Sequence, residues 1–388
     1  MKKKLIPILA LSLVLSACGA SNSNNSGAKS SGNGSEDTIK IGGIIPKTGA
    51  AAVYGNTAEN GIKLAIEEIN QSGGVNGKEI EYVSEDDKGD PTESVTVYNK
   101  LMEEDVRAII GPITSKPAQA VADNSTDDNI AIITPTGTMD SITEGKDNVF
   151  RACFTDPLQG EILANFAADN LKVKKVAVLR NTSNDYSNGV ADKFIEVAKE
   201  KSLEIVADEG YGENDIDFKV QLTNINKKSP DLILVPEYYE KDVSIAGQAK
   251  ELGIKSKIIG PDGWDGVLAT VAKGSEDTLE GIYFTNHYAV DDEAENIQNF
   301  VKKYEEKYNE KPSAFAALGY DTVYIYKEAF ENAKSDSKED LISAIKEVQY
   351  NGITGNLKFG ENNNPIKSAA IIKIENGKYV FDSVIETK

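Results

Sequence analysis

The sequence predicts an α/β fold of two doubly wound, Rossmann-like lobes, and three observations carry that prediction. From Asp37 onward, short β-branched runs alternate with longer segments of helical period, the pattern of parallel strands covered by helices. About 350 residues follow the N-terminal leader, more than one hydrophobic core usually holds. The alternation also breaks at "FTDPLQG" (154–160), which divides the strand–helix units into two sets.

Ahead of the fold, Lys2, Lys3 and Lys4 precede a mostly apolar run, Leu5 to Leu15, that closes on "LSAC" at Cys18. Residues 1–17 read as a secretion signal, too short to span a membrane. "LSAC" resembles the lipobox of bacterial lipoproteins, with Ser16, Ala17 and Gly19 as small neighbours. The resemblance implies cleavage before Cys18 and acylation of that cysteine. Residues 19–36, "GASNSNNSGAKSSGNGSE", are almost all small, polar or glycine and cannot bury apolar surface. They predict a disordered tether of roughly 23 Å typical reach. The protein would then sit outside the cytoplasm, held to the membrane only through Cys18.

In chain order, "TIKIGGII" (38–45) is the first strand. The helix over 56–71 places Ala58, Ile62, Ala65, Ile66 and Ile69 on one face and stops at "SGGVNG", feeding the strand "EIEYVSEDD". Asp90, Pro91 and Glu93 then form a capping signal for a helix to about Glu104. Strand "RAIIGPI", a helix from Lys116 and strand "IAIITPT" complete the first set. The second set runs through strand "KKVAVLR", helix 188–201, strand "EIVADEGY", helix 218–227, strand "DLILVPE", a helix to Leu252 and strand "SKIIGPD".

In an open parallel sheet, ligands bind beyond the carboxyl ends of the strands. The turns there are "PKTGAAAVYG", "GPITSK", "TPTGTMD", "RNTSNDYSNG", "VPEYYEKD" and "GPDGWDG", rich in hydroxyls and tyrosines. Nucleotide chemistry is disfavoured: the Gly-Lys pairs ending at Lys78, Lys146 and Lys378 are followed by Glu, Asp and Tyr rather than Ser or Thr, and the first turn lacks dinucleotide glycine spacing. "SEDD" and "DPTE" lack calcium-loop spacing and read as strand ends and caps. No metal or cofactor is expected, nor an enzyme. The one histidine, His287, reads as a surface or loop residue, and Cys153 in "FRACF" as small buried packing. With 62 acidic against 42 basic residues, and three lysines lost with the leader, nucleic acid and anionic lipid are disfavoured as partners. A helix start at Thr114 to Lys116 offers N–H donors for an anion, or Ser115 caps its own helix. Such turns suit a small zwitterion.

The stretches "YGNTAENGIKLAIEEINQSGGVNGK", "IIGPITSKPAQAVAD", "ITPTGTMDSIT", "FRACFTDPLQG", "NDYSNG", "VPEYYEKD", "IIGPDGWDG" and "PSAFAALGYDTVY" occur in the order and spacing of the branched-chain amino acid-binding proteins of ABC transporters, the Leu/Ile/Val receptors. The chain resembles that family over about residues 37–388. The resemblance implies a type I periplasmic-binding-protein fold with a three-segment hinge: lobe one from 37–154 and 286–352, lobe two from 155–285 and 353–388. It implies a ligand carboxylate held by Ser115 and Thr138, an ammonium held by the Thr136 carbonyl and Asp262, a cleft lined by Tyr54, Tyr186 and Tyr238, and a side-chain pocket shaped by Ile113, Gly137 and Phe315. It also implies a monomer that serves a separate permease and ATPase. The same scaffold carries other amino acids, amides and sensory proteins. Thr114, Thr136, Gly137 and Asp262 stand where the best-known members carry cysteine, alanine, alanine and glutamate, and Trp264 lies near the cleft. An extra hydroxyl admits a small polar amino acid such as threonine, or bonds its own backbone.

Overall fold

The computed structural model describes residues 38–385. The leader, Cys18 and the tether lie outside the described residues. Among those described, no helix is long and apolar enough to cross a membrane.

One lobe is built on five parallel strands, β1 (Thr38–Ile45), β2 (Glu79–Asp86), β3 (Ala108–Ile110), β4 (Ala131–Thr134) and β5 (Val149–Arg151), in the order β2-β1-β3-β4-β5. Helices α1 (Ala52–Gln71), α2 (Pro91–Glu103) and α3 (Ser115–Ser125) connect them. β3 and β4 are fully buried and, but for Thr134, apolar, as strands covered on both faces are. The capping signal at α2 is present: the Asp90 carboxylate accepts from the N–H groups of Thr92 and Glu93 at 2.8 and 3.0 Å, and Pro91 opens the helix.

The chain then enters the other lobe through α4 (Asp156–Asn165), β6 (Lys175–Asn181), α5 (Asp185–Glu200), β7 (Glu204–Tyr211), α6 (Lys219–Asn226), β8 (Leu232–Leu234), α7 (Tyr239–Glu251), β9 (Lys257–Gly260), α8 (Val267–Thr270) and β10 (Tyr283–Asn286). It returns to pack α9 (Glu295–Tyr308), α10 (Ala314–Asn332) and α11 (Lys338–Glu347) on the first lobe and adds a hairpin, β11 (Gln349–Gly352) and β12 (Gly355–Lys358). A third crossing leads to β13 (Ala369–Glu375) and β14 (Lys378–Ile385). The second sheet has the order β14-β13-β10-β9-β8-β6-β7; β6 to β10 are parallel, while β13 and β14 pair antiparallel. The three crossings form the hinge.

Two glycines bring α1 and α10 into close approach. A Cβ on Gly61 would lie 1.9 Å from the Ala316 carbonyl oxygen, and one on Gly319 would lie 2.5 Å from that of Ala58. Only a bare Cα fits at either crossing. That contact sets Phe315, near the start of α10, flat on Tyr54 of α1, with ring centroids 4.2 Å apart and planes 4° apart.

Candidate ligand-binding cleft

The strand order of each sheet reverses beside β1 and β6, and the turns beyond the strand ends face one another where the lobes meet. Between them lies a narrow cavity of about 10 Å³, room for about one water. Tyr54, Ile113, Ser115, Thr136, Thr138, Tyr186, Tyr238, Asp262 and Phe315 line it, joined by Thr114 and Gly263.

Gly137 is the exception among the expected residues. A Cβ there would face the Thr134 hydroxyl at 2.7 Å and the Ile142 side chain at 3.0 Å, in the lobe interior rather than the cavity. Its carbonyl accepts from Arg151 at 2.9 Å and from the Cys153 thiol at 3.3 Å. Gly137 is thus not part of the cavity lining.

One end of the cavity gathers hydroxyls at the start of α3. Thr114, not Ser115, is the N-cap, and its side chain makes no capping bond. The Ser115 hydroxyl instead accepts from the Thr138 N–H at 3.1 Å and lies 3.3 Å from the Thr138 hydroxyl. That pair knits the turns after β3 and β4 together beside the positive end of a helix dipole, an arrangement suited to a carboxylate. The Thr136 hydroxyl donates to the Ile113 carbonyl at 2.5 Å, so this added hydroxyl is engaged with backbone.

The cavity also presents Asp262, only 2% exposed and held by three side chains. Its Oδ1 accepts from the Tyr186 hydroxyl at 2.8 Å and from Gln159 Nε2 at 3.0 Å, and Oδ2 lies 3.2 Å from His287 Nε2. Gln159 completes a clamp, its Oε1 accepting from the Asp262 N–H and the Thr285 hydroxyl, both at 2.8 Å.

His287 is not the surface or loop residue expected from sequence. It is buried and stacked on Phe154, with ring centroids 3.7 Å apart. Desolvation pushes its pKa down against the opposing pull of Asp262. Gln159 was read only as part of the break in the pattern, since its partner lies 103 residues away. Cys153 is buried as expected, and desolvation pushes its thiol up to about 12, which removes it as a nucleophile at neutral pH.

Much of the remaining lining is aromatic. Tyr186 and Tyr238 stack at 4.9 Å, and Tyr54 meets Tyr238 edge-on at 5.7 Å. Tyr54 also ties the lobes together: its hydroxyl donates to the Gly263 carbonyl and accepts from the Tyr239 N–H at 3.0 Å. Lys116 adds a bond to the Ser183 carbonyl at 3.0 Å across the rim. The lobes are thus closed on each other. Hydroxyl and N–H donors, a carboxylate acceptor and apolar rings around one cavity suit a small zwitterion.

The family model described as "Periplasmic binding protein" matches residues 38–378. The chain belongs to the periplasmic binding protein family. Within it, the chain is 35% identical to the branched-chain amino acid transporter substrate-binding protein LivJ of Streptococcus pneumoniae, solved with isoleucine, at a TM-score of 0.85 over 90% of this chain and 100% of that one. It is 32% identical to the leucine-binding protein LivK of Thermotoga maritima, at a TM-score of 0.84 over 90% and 99% of the two chains. A Pseudomonas aeruginosa relative, the leucine-, isoleucine-, valine-, threonine- and alanine-binding protein, is 29% identical over 84% of this chain and 86% of its own. These likenesses agree with two α/β lobes around a ligand cleft.

Proposed function

We propose that the protein is an extracytoplasmic receptor that captures a branched-chain amino acid, leucine, isoleucine or valine, between its lobes and delivers it to the permease and ATPase of an ABC importer. The observation that carries this reading is the polarity of the cavity. The Ser115 and Thr138 hydroxyls and the Asp262 carboxylate share its lining, and Ile113 with the Tyr54–Phe315 stack adds an apolar wall. The carboxylate would take the hydroxyl end and the α3 N-terminus, and the ammonium would take Asp262 and the Thr136 carbonyl. Burying both charges without such partners would be costly. The names of the relatives support the same cargo. The protein performs no chemistry in this role, acts as a monomer and is anchored by an acylated Cys18 through the tether.

Calorimetry of the purified protein with each amino acid, without metal or nucleotide, tests the reading. Saturable heat with leucine, isoleucine or valine is expected, together with a raised melting temperature, because a ligand of the native state stabilises by mass action. Silence with all three and a response to another amino acid would redraw the specificity and keep the scaffold. A broader cargo that includes threonine is the second reading, favoured by the Thr114 side of the cavity and by the name of the Pseudomonas relative.

A further inference from the structure

Lysines gather at the end of the second lobe that lies away from the cleft. β6, β8 and β9 run parallel, so the turns after them face the cleft and the loops before them form the outer pole. Those loops read "LKVKK" (171–175), "NKKSPD" (226–231) and "GIKSK" (253–257), seven lysines against one acid in a chain with 62 acidic and 42 basic residues.

All seven side chains are exposed, and none of them is in an ion pair among the described residues. The neighbouring acid Asp169 is taken by Lys201 at 2.7 Å. Asp231, the one acid on the loops, spends its carboxylate on the N–H groups of Lys174 and Lys175, both at 2.9 Å. Main-chain bonds fix the loops side by side: the Asp231 N–H donates to the Lys175 carbonyl at 2.8 Å, and the Lys257 N–H to the Asp231 carbonyl at 3.0 Å. The Ser256 hydroxyl adds a bond to the Pro230 carbonyl at 2.7 Å. Between the loops lies a shallow depression of about 650 Å³, lined by Lys172, Lys174, Lys255 and Lys257 together with Asn226 and Ser229.

Like charges gathered on one rigid frame repel one another, and an anion that spans several of them relieves the repulsion. At physiological salt a charge is screened beyond about 8 Å, so a polyanion at this pole meets the lysines rather than the negative charge of the whole chain. Ammonium groups suit phosphate oxygens as point charges, and seven of them spread over three loops match a row of phosphates better than a single ion. Thr38 starts β1 at the amino end of the first sheet, which puts it at the outer pole of the other lobe. A protein tethered through the segment before Thr38, as proposed above, therefore carries its lysine pole at the end remote from the lipid.

We infer that the three lysine loops form a binding surface for an extracytoplasmic polymer of repeating phosphates. The choice of a polymer over lipid headgroups rests on the tethered reading; the surface itself does not.

The test titrates the purified protein with long-chain linear polyphosphate in a calorimeter at about 50 and about 200 mM salt. Saturable binding is expected, weaker by tenfold or more at the higher salt, because each lysine–phosphate contact releases counterions. Lys174→Gln, Lys255→Gln and Lys257→Gln combined should weaken polyphosphate binding at least tenfold and leave leucine binding as in the wild type, with a melting curve to establish folding. Lys172→Gln with Lys228→Gln is a second variant expected to weaken it in the same direction. Lys302→Gln, Lys327→Gln and Lys346→Gln combined, on α9, α10 and α11 of the first lobe, form the control and should change affinity less than twofold. Equal losses in the two triple variants, or no saturable binding by the wild type, overturn the inference. Equal affinity for polyglutamate does so too, since carboxylates would then serve as well as phosphates. Tighter binding to phosphatidylglycerol vesicles, counted per phosphate, would make lipid the partner and overturn it likewise. Loss of leucine binding alone, with polyphosphate still bound, would bear on the proposed cargo and leave this surface standing.

Discussion

His287 Nε2 lies 3.2 Å from Oδ2 of Asp262, and the imidazole that makes this contact is stacked on Phe154 in the hinge. The acid proposed to meet the cargo is therefore held from the segment that joins the lobes. His287→Phe keeps a ring against Phe154 and removes the donor. A hydrogen bond to a charged group contributes about 1.5–3 kcal/mol, so leucine affinity should fall by roughly one to two powers of ten. Calorimetry reads this directly, and unchanged affinity would reduce His287 to packing.

The same residue predicts a pH effect on stability. Its pKa in the folded protein is depressed below the ordinary 6.5, with desolvation as the leading cause. The stability it contributes is present above about 6.5 and is lost as the pH falls through the depressed value. Melting temperature measured from pH 7 to 5 should fall more in the wild type than in His287→Phe.

Asp265 should act with the opposite sign. It is buried, accepts from the Ala314 N–H at 2.7 Å and from Asn286 at 3.2 Å, and desolvation raises its pKa to about 6. A carboxyl whose folded pKa is raised leaves the protein most stable below the unfolded value near 3.8, and that stability is lost as pH rises through 6. The difference is on the order of 3 kcal/mol. Asp265→Asn, which keeps an acceptor oxygen, should gain relative to wild type as pH rises from 4 to 7; parallel melting curves across that range would refute this.

Asp262 itself carries the steepest prediction for binding. Breaking a buried pair from one side costs about 3–5 kcal/mol, so Asp262→Ala should lose roughly two to four powers of ten in affinity. Asp262→Asn keeps size and an acceptor oxygen and should bind weakly as well. A folded Asp262→Ala that binds within a few-fold of wild type would require a different ammonium site.

Anchoring rests on Cys18. Cys18→Ala should abolish labelling by a fatty-acid analogue and release the protein from membranes. Retention of the unlabelled variant through an uncleaved leader would point to a different anchor.

Much of this was legible in the sequence where signals are local. "TIKIGGII" coincides with β1 and "EIVADEGY" with β7, because a β-branched run between polar turns has few other uses. The start of α1 was read four residues late: Ala51 at its N-cap makes no side-chain capping bond and so leaves no mark. The C-terminal antiparallel pair, β13 and β14, lay beyond the last strand read from the pattern. In the cleft, residues after strand ends came through the resemblance, but Gln159 and His287 did not. Each owes its role to Asp262, 103 and 25 residues distant, and neither has a local spacing that could reveal it. Gly137 follows a strand end as the cleft residues do, yet a Cβ there would face Thr134 and Ile142, a direction that sequence does not encode.

The Tyr54 hydroxyl belongs to one lobe, and both of its bonding partners, Gly263 and Tyr239, belong to the other. Neither bond involves cargo. For a receptor working as proposed, some idle carriers are therefore shut, in proportion to the free energy of that latch. A shut and vacant carrier shows a docking surface nearly the same outline as a full one. Shape alone would then be a poor ticket of passage, and what separates useful from futile encounters is dwell time: a vacant carrier springs open sooner than one whose lobes are also pinned by the charges of a guest.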